Sequence, residues 1–197
     1  MRTGGKTREH IIRQAAALFN RQGFAGASMS DIMAATGLQK GGIYRHFQSK
    51  EALAAEAFDY AVGVMAGRFT DALQGRTGAL DRLNAVIDVF ERIPTDPPVP
   101  GGCPVLNAAV ETDDGNPLIR DRARAAVDGL RRLVHSEVSR GIETGEVRAD
   151  VDAEELASVM ICTLEGAVAV SRLYDDASHA QRAAGHLRQY LDERVRA

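Results

Sequence analysis

Residues 28–53 read SMSDIMAATGLQKGGIYRHFQSKEAL, and the fold can be predicted from this stretch outward. Ser28 lies three residues before Asp31, the spacing of a capping box, which satisfies the free N–H groups at a helix start. The helix that begins there ends at Gly37, because glycine readily takes the left-handed conformation of a helix C-terminus. A turn over residues 38–40 leads to a further helix over about 41–47. These are the proportions of a helix-turn-helix.

The last helix of this motif has an inward and an outward face. Ile43 and Phe47 are spaced to pack inward together with Ile32 and Leu38. A lysine, bare glycine amides, a phenol, a guanidinium and an imidazole are left facing outward, and such groups suit phosphates and base edges. The sequence therefore predicts that DNA is bound by Lys40, Gly41, Gly42, Tyr44, Arg45 and His46, with Lys50 neutralising a further phosphate. Tyr44 and His46 could alternatively be packing residues of a compact helical domain.

Charge is distributed unevenly along the chain. Residues 1–50 carry eight Lys and Arg against two acidic residues, a net charge of +6, whereas the remainder has a net charge of −9 and the whole chain −3. A basic segment on an acidic body is typical of a protein that binds a polyanion. The alternative is a solvated basic face without a partner.

Apolar residues in the rest of the chain recur at helical spacing, and no segment shows the alternation that predicts a strand. Glycine pairs and a proline-rich loop over 94–102 separate the helices, and a short helix is expected over about 104–112. The predicted fold class is all-α with about nine helices. We expect residues 1–50 to form a DNA-binding domain and residues 51–197 a sensing and dimerising domain.

Several classes of function have no signal in the composition. No Walker loop, Cys-x-x-Cys or His-Glu-x-x-His motif is present, so no catalytic residues, metal site or cofactor are predicted. Without an apolar run of membrane length or a signal peptide, a cytoplasmic location is expected. Cys103 is interpreted as a reachable, reactive thiol at a helix N-terminus, or else as a packing residue. Cys162 is interpreted as a small hydrophobe in an apolar helix face.

The residues from Gly23 to Leu53 closely resemble the DNA-binding domain of the tetracycline-repressor (TetR) family. The most specific part of the pattern is Tyr44-Arg45-His46-Phe47, followed by Ser49-Lys50-Glu51-Ala52-Leu53. More weakly, Gly102-Cys103-Pro104, with Asn107 and Ala109, resembles a segment found in one subset of that family.

The resemblance implies roles for individual residues. Ser28 and Ser30 match positions that contact phosphate or base edges, and Lys40, Gly41 and Gly42 match the base-reading end of the recognition helix. Because the two glycines offer no side chain, base readout is expected to fall more on Lys40, Arg45 and Met29. Tyr44, His46 and Lys50 match positions that clamp the DNA backbone.

Family likeness also implies an effector pocket and a homodimer on a near-palindromic operator. The residues interpreted as lining the pocket, although ordinary core packing would give the same spacing, are Phe58, Met65, Phe69, Phe90, Cys103, Leu106, Val110, Leu130 and Val134. The residues interpreted as a dimer seam, although they could equally be the core of one chain, are Leu156, Val159, Met160, Thr163, Leu164, Gly166, Ala167 and Val170.

The function predicted from these patterns is that of a DNA-binding transcriptional regulator that a small molecule releases. Two alternatives stay open. One is a helical enzyme with an incidental helix-turn-helix, which a convergent acid–base or nucleophile–base pair would support. The other is an architectural DNA-binding protein without an effector, which sequence-independent affinity would support.

Overall fold

A computed structural model describes residues 3–113 and 115–197 of the chain, and this part is almost entirely helical. The fold is all-α, as predicted. Its helices are α1 (Thr3–Gln22), α2 (Met29–Thr36), α3 (Lys40–Tyr44), α4 (Lys50–Leu73), α5 (Ala79–Arg92), α6 (Pro104–Thr112), α7 (Pro117–Thr144), α8 (Ala153–Leu173) and α9 (Ser178–Tyr190), followed by a π-helical turn (Leu191–Val195).

The predicted start and end of α2 are confirmed. The side chain of Ser28 accepts a hydrogen bond from the backbone N–H of Asp31, and the Asp31 carboxylate accepts one from the N–H of Ser28, which completes the capping box. Gly37 ends α2 in the left-handed conformation at φ 69°. At the start of α4, the hydroxyl of Ser49 accepts a hydrogen bond from the Ala52 N–H. Local sequence therefore specifies where these helices begin and end.

The chain divides into two compact units. The first comprises residues 1–65 and 98–124, and the second comprises residues 66–97 and 125–197. In the first unit, the apolar faces of α1, α2, α3 and the first half of α4 form one core, and Ile11, Phe19, Ile32 and Ile43 are buried in it. Residues of the proline-rich loop and of α6 belong to the same core.

The second unit is built around α5, α8 and α9, which pack against one another. The carboxylate of Glu146, in the turn between α7 and α8, accepts hydrogen bonds from the N–H groups of Ala79 and Leu80 and so caps the start of α5. Gly141 allows the close approach of α7 to this end of α5, because an added Cβ would overlap Val147 and Ala79.

Several helix bounds differ from what the sequence pattern indicates. The helix expected over about 41–47 is α3, and it spans Lys40–Tyr44. Gly141 and the polar residues after it indicate a loop over 141–152, but α7 continues to Thr144 and turns at Gly145, where φ is 75°. The apolar spacing near the C-terminus indicates a last helix over 187–195, but α9 begins nine residues earlier, at Ser178.

Helix α8 is long and apolar enough to span a membrane by length and composition, although no membrane span was predicted. Its inward residues, which include Leu156, Met160 and Leu164, are buried against the neighbouring helices. Its opposite face is exposed, and 39% of its apolar window is buried. A helix that packs one face against a globular unit can have the same composition, so the length and composition of α8 are weak evidence for a membrane span.

Candidate nucleic-acid interface

The helix-turn-helix is formed by α2 and α3, with residues 37–39 as the turn. Ile32 of α2 and Ile43 of α3 are fully buried, and Phe47, just after α3, is buried beside them. Lys40 was predicted in the turn, but it is the first residue of α3. The apolar residues fix the two helices to the core, so the opposite face of α3 is open to solvent.

The predicted DNA-binding residues lie mainly on this open face. Exposed residues are Ser28, Ser30, Lys40, Gly41, Tyr44 and Arg45, and half-buried residues are Met29, Gly42, His46 and Lys50. Met29 packs against the core of the first unit, which leaves part of its side chain for contacts outside. Six of these residues lie on α3 or directly after it, three at the start of α2 and one at the start of α4, and none of the ten is fully buried.

Ser28 is committed to the capping box in a way that limits its contact with DNA. Its hydroxyl donates to the Asp31 carboxylate at 2.6 Å and accepts from the Asp31 N–H at 3.1 Å. The hydrogen bond from Ser28 is also the main reason that the pKa of Asp31 is lowered. Because a phosphate needs a donor, Ser30 is the better placed of the two serines.

The cations of this surface are positioned by their neighbours. The Lys40 ammonium lies 5.7 Å from the centre of the Tyr44 ring, within the range of a cation–π contact. The Lys50 ammonium lies 3.5 Å from the carbonyl oxygen of Ala25, in the loop that precedes α2. Because an ammonium has three donor hydrogens, Lys50 can hold this loop and still contact a phosphate.

Helix α6 lies beside this interface, a contact that no sequence pattern indicates. Asn107 and Glu111 of α6 form hydrogen bonds with the end of α1 and with the loop before α2. In the sequence, Asn107 is marked only by the weaker family resemblance, and no pattern marks Asn20 or Glu111. No periodic pattern marks a contact between residues so far apart in the chain.

The predicted pocket residues do not form one described cavity. Phe58, Met65, Cys103 and Leu106 lie in the first unit; Phe69, Phe90, Leu130 and Val134 lie in the second. Phe69 and Phe90 pack together, with ring centres 5.7 Å apart. The inclusion of Val110 is corrected, because its side chain is 71% exposed and points away from the core of its unit.

The structure favours the interpretation of Cys103 as a packing residue over that of a reachable thiol, and it contradicts the apolar environment expected for Cys162. Cys103 does lie at the N-terminus of α6, as expected, but it is buried and not reachable from solvent. Cys162, expected in an apolar environment, is exposed on α8.

The predicted dimer seam contains two kinds of residue. Leu156, Met160 and Leu164 are buried within the second unit, so their assignment to a surface is wrong and they form its core. Thr163 and Ala167 are half-buried, whereas Val159, Gly166 and Val170 are exposed.

Taken together, the fold and this surface define a helical protein with an N-terminal helix-turn-helix. Residues 11–57 match the family of bacterial regulatory proteins of the tetR type. Residues 79–187, more than half of the chain, match the tetracyclin repressor-like C-terminal domain. The chain belongs to the TetR family of transcriptional regulators.

Individual relatives agree with this assignment. A TetR transcriptional regulator from Chloroflexus aurantiacus is 49% identical and superposes with a TM-score of 0.98, covering 100% of this chain and 99% of its own. The transcriptional repressor DhaR of a Mycobacterium species is 24% identical over 82% of this chain and 80% of its own length. The TetR family regulator CifR, whose structure was solved with a 26-bp operator duplex, shares the fold at 24% identity and a TM-score of 0.81, covering 92% of this chain and 94% of its own.

Proposed function

We propose that this protein binds a near-palindromic operator as a homodimer and represses transcription in the cytoplasm until a small-molecule effector releases it. The observation that supports the proposal is the solvent-exposed face of α3, which carries basic and polar side chains. The opposite face of the helix-turn-helix is apolar and buried in the core of the first unit. A regulator of this kind reads half-sites in pairs, because a two-fold symmetric protein matches a two-fold symmetric site. The proposal assigns no catalytic step to the chain.

The effector would act by differential affinity. A small molecule that binds one arrangement of residues 51–197 more tightly shifts the population towards it, and DNA binding falls if that arrangement misplaces α3. The assignment of residues 1–50 to DNA and residues 51–197 to sensing and dimerisation is part of this proposal.

The proposal is tested by selecting duplexes from a randomised pool and measuring affinity at several salt concentrations. We expect the parent protein to bind the selected duplex much more tightly than a scrambled duplex of the same composition. Lys50→Ala should weaken both duplexes about equally and flatten the slope of log affinity against log salt by about one unit, since one phosphate contact is lost. Arg45→Ala should mainly reduce the preference for the selected duplex, with a cost of about 1–3 kcal/mol if it contacts a base edge.

Arg132→Ala is the matched control, because Arg132 is an exposed arginine on α7 in the other unit. It should leave both affinities and the salt slope unchanged. Absence of DNA binding by the parent at any salt concentration would refute the proposal. Equal affinity for the selected and scrambled duplexes would favour an architectural DNA-binding protein instead.

A further inference from the structure

Two asparagines tie the loop before α6 to the C-terminal end of α1. The side-chain amide of Asn107 donates to the backbone oxygen of Asn20 at 3.0 Å, to its side-chain oxygen at 2.9 Å and to the Gly101 oxygen at 2.9 Å. In return, the Asn20 amide donates to the carbonyls of Val99, Pro100 and Gly102 at 3.2–3.3 Å. The partners are about 80 residues apart in sequence, so these bonds hold together segments that the chain itself does not connect.

One turn further along α6, Glu111 holds the loop between α1 and α2. Its carboxylate accepts hydrogen bonds from the backbone N–H groups of Phe24 at 2.9 Å and Ala25 at 2.8 Å. Hydrogen bonds to an ionised carboxylate are stronger than those between neutral groups. Glu111 therefore fixes the two residues that follow Gly23.

Glycines make both of these contacts possible. Gly23 has φ 81°, and a Cβ there would lie 2.9 Å from the carboxylate oxygens of Glu111. Gly101 has φ 121°, and a Cβ there would lie 2.5 Å from the Asn20 carbonyl oxygen. A side chain at position 101 would overlap the backbone of α1, and one at position 23 would displace the Glu111 carboxylate from its contacts.

The loop held by Glu111 leads directly into the DNA-binding surface. Ala27 is fully buried, and the next residue, Ser28, is the N-cap of α2. The carbonyl of Ala25 also lies 3.5 Å from the ammonium of Lys50. The position of this loop therefore affects both where α2 begins and where a predicted phosphate contact is held.

The joint between α1, α4 and α6 leaves little free space. The cavity that remains there has a volume of about 10 Å³ and is lined by residues that include Phe19, Phe58 and Ala108. A single water needs about this much room. A displacement of α6 would thus be passed to the end of α1 rather than absorbed by empty space.

We propose that Asn107 and Glu111, which lie outside the DNA-binding segment of residues 1–50, are positioning residues of the DNA interface. Through them, α6 holds the α1–α2 loop in the arrangement that presents Ser30 and Lys50 to DNA. The inference rests on the proposed DNA-binding function and deepens it, because it assigns the position of the interface to two named residues outside the helix-turn-helix.

The test compares Glu111→Gln with Val110→Ala, a control at the neighbouring exposed position of the same helix. Gln keeps the size of the side chain, but its NH₂ group faces one of the two backbone N–H donors, so one hydrogen bond is lost. We expect affinity for the selected duplex to fall about tenfold, which corresponds to about 1.4 kcal/mol. Affinity for the scrambled duplex should fall less, because Lys50 contacts a phosphate in either duplex, whereas only the selected duplex has specific base contacts to lose. Val110→Ala should behave as the parent protein does.

The sign of the effect separates positioning from electrostatics. Glu111→Gln removes a negative charge, so a purely electrostatic effect would strengthen binding to both duplexes. Hydrogen exchange gives a second readout, because the Phe24 and Ala25 amides should exchange faster in Glu111→Gln. Asn107→Ala should weaken the same preference for the selected duplex, and it provides an independent test if Glu111→Gln does not fold.

The outcomes are distinguishable from failure of the proposed function. If the parent protein binds neither duplex, the proposed function is wrong. If the parent discriminates between the duplexes, and a folded Glu111→Gln or Asn107→Ala keeps the same preference and the same amide exchange, then α6 does not position the interface.

Discussion

The Ser28–Asp31 pair shows how one residue can serve both the fold and the site. The Ser28 side chain accepts a hydrogen bond from the Asp31 N–H at the start of α2, and its hydroxyl donates a hydrogen bond to the Asp31 carboxylate. The same residue cannot then donate strongly to a phosphate. At this position helix capping takes precedence over the predicted ligand contact, and Ser30 remains the serine that we expect to contact DNA.

The capping box makes stability depend on pH. The hydrogen bond from Ser28 lowers the pKa of Asp31 from 3.8, so the folded state favours the ionised carboxylate. The resulting stability is present above the unfolded pKa and is lost as pH falls through the lower folded pKa. Asp31→Asn should therefore melt below the parent at neutral pH, and the difference should shrink once pH falls below 3.8.

Thermal unfolding followed by circular dichroism measures this difference. Asp121→Asn on α7 is the control, since the pair that Asp121 forms with Arg124 is mostly exposed and should contribute little. A difference between parent and Asp31→Asn that stays constant down to strongly acidic pH would show that the carboxylate charge does not stabilise α2.

The cysteines show what a single residue in a sequence does not reveal. Cys103 could be placed at a helix N-terminus from the following Pro104, and the structure confirms that position. Its exposure could not be predicted, because it depends on how the Gly101–Gly102 loop turns back onto α1. Local chemistry fixed the helix start, whereas a long-range contact decided access to the thiol.

At the scale of the helices, prediction succeeded where the signals are local. The bounds of α6 agree with expectation, because a proline opens the helix and the segment is short. The end of α7 was missed at Gly141, which reads as a breaker in sequence. In the structure this glycine continues the helix, because it admits Val147 and Ala79 at close range. A glycine that makes room for packing and one that ends a helix look the same in sequence.

A buried ion pair joins three helices of the second unit. Glu137 of α7 is 5% exposed and accepts hydrogen bonds from Arg82 of α5 at 2.8 Å and from Arg140 at 2.6 Å. Arg82 also donates to the carbonyls of Leu73 and Arg76, at and just beyond the end of α4. Glu137 thereby holds in place the guanidinium of Arg82, which donates a hydrogen bond to the carbonyl of Leu73 in the last turn of α4.

Removal of Glu137 should destabilise this unit strongly. Glu137→Ala leaves Arg82 without its buried counter-charge, and we expect a loss of about 2–3 kcal/mol in the free energy of unfolding. This lies below the cost for a fully buried pair, because the Arg82 side chain is 24% exposed. Arg124→Ala, which breaks an exposed pair, should cost less than about 0.5 kcal/mol. Chemical denaturation measures both values, and equal losses would show that the Glu137 cluster has no special role.

At the scale of the whole molecule, compact units and expected functional domains do not coincide. The sequence pattern suggests a division after residue 50, where the recognisable motif ends. Packing instead places residues 98–124 with the helix-turn-helix. Charge and motif patterns predict which residues face a ligand, but they do not indicate which distant segment supports those residues.

The outer face of α8 carries a row of exposed residues, several of them apolar. Exposed residues recur on it at intervals of three and four, the spacing of a helix seam, and they are Val159, Cys162, Gly166, Val170 and Leu173. Val159, Val170 and Leu173 are 47%, 38% and 79% exposed, and contiguous exposed apolar residues mark interaction surfaces more often than single ones do. Together with the homodimer proposed above, this stripe is where we place the contact between two copies.

Gly166→Arg tests that placement without disturbing the single chain. A Cβ at Gly166 meets no atom within 4 Å, so the larger side chain fits the isolated unit. In a closely packed seam it would bury a charge at a cost of several kcal/mol, and association should fail.

We expect light scattering at micromolar concentration to give a dimer for the parent and a monomer for Gly166→Arg. Cys162 should react slowly with a thiol reagent in the parent and quickly in the variant. Gly63→Arg, at an equally open glycine of α4, should remain dimeric with Cys162 protected. A monomeric parent, or a dimer unaffected by Gly166→Arg, would show that α8 does not form the interface.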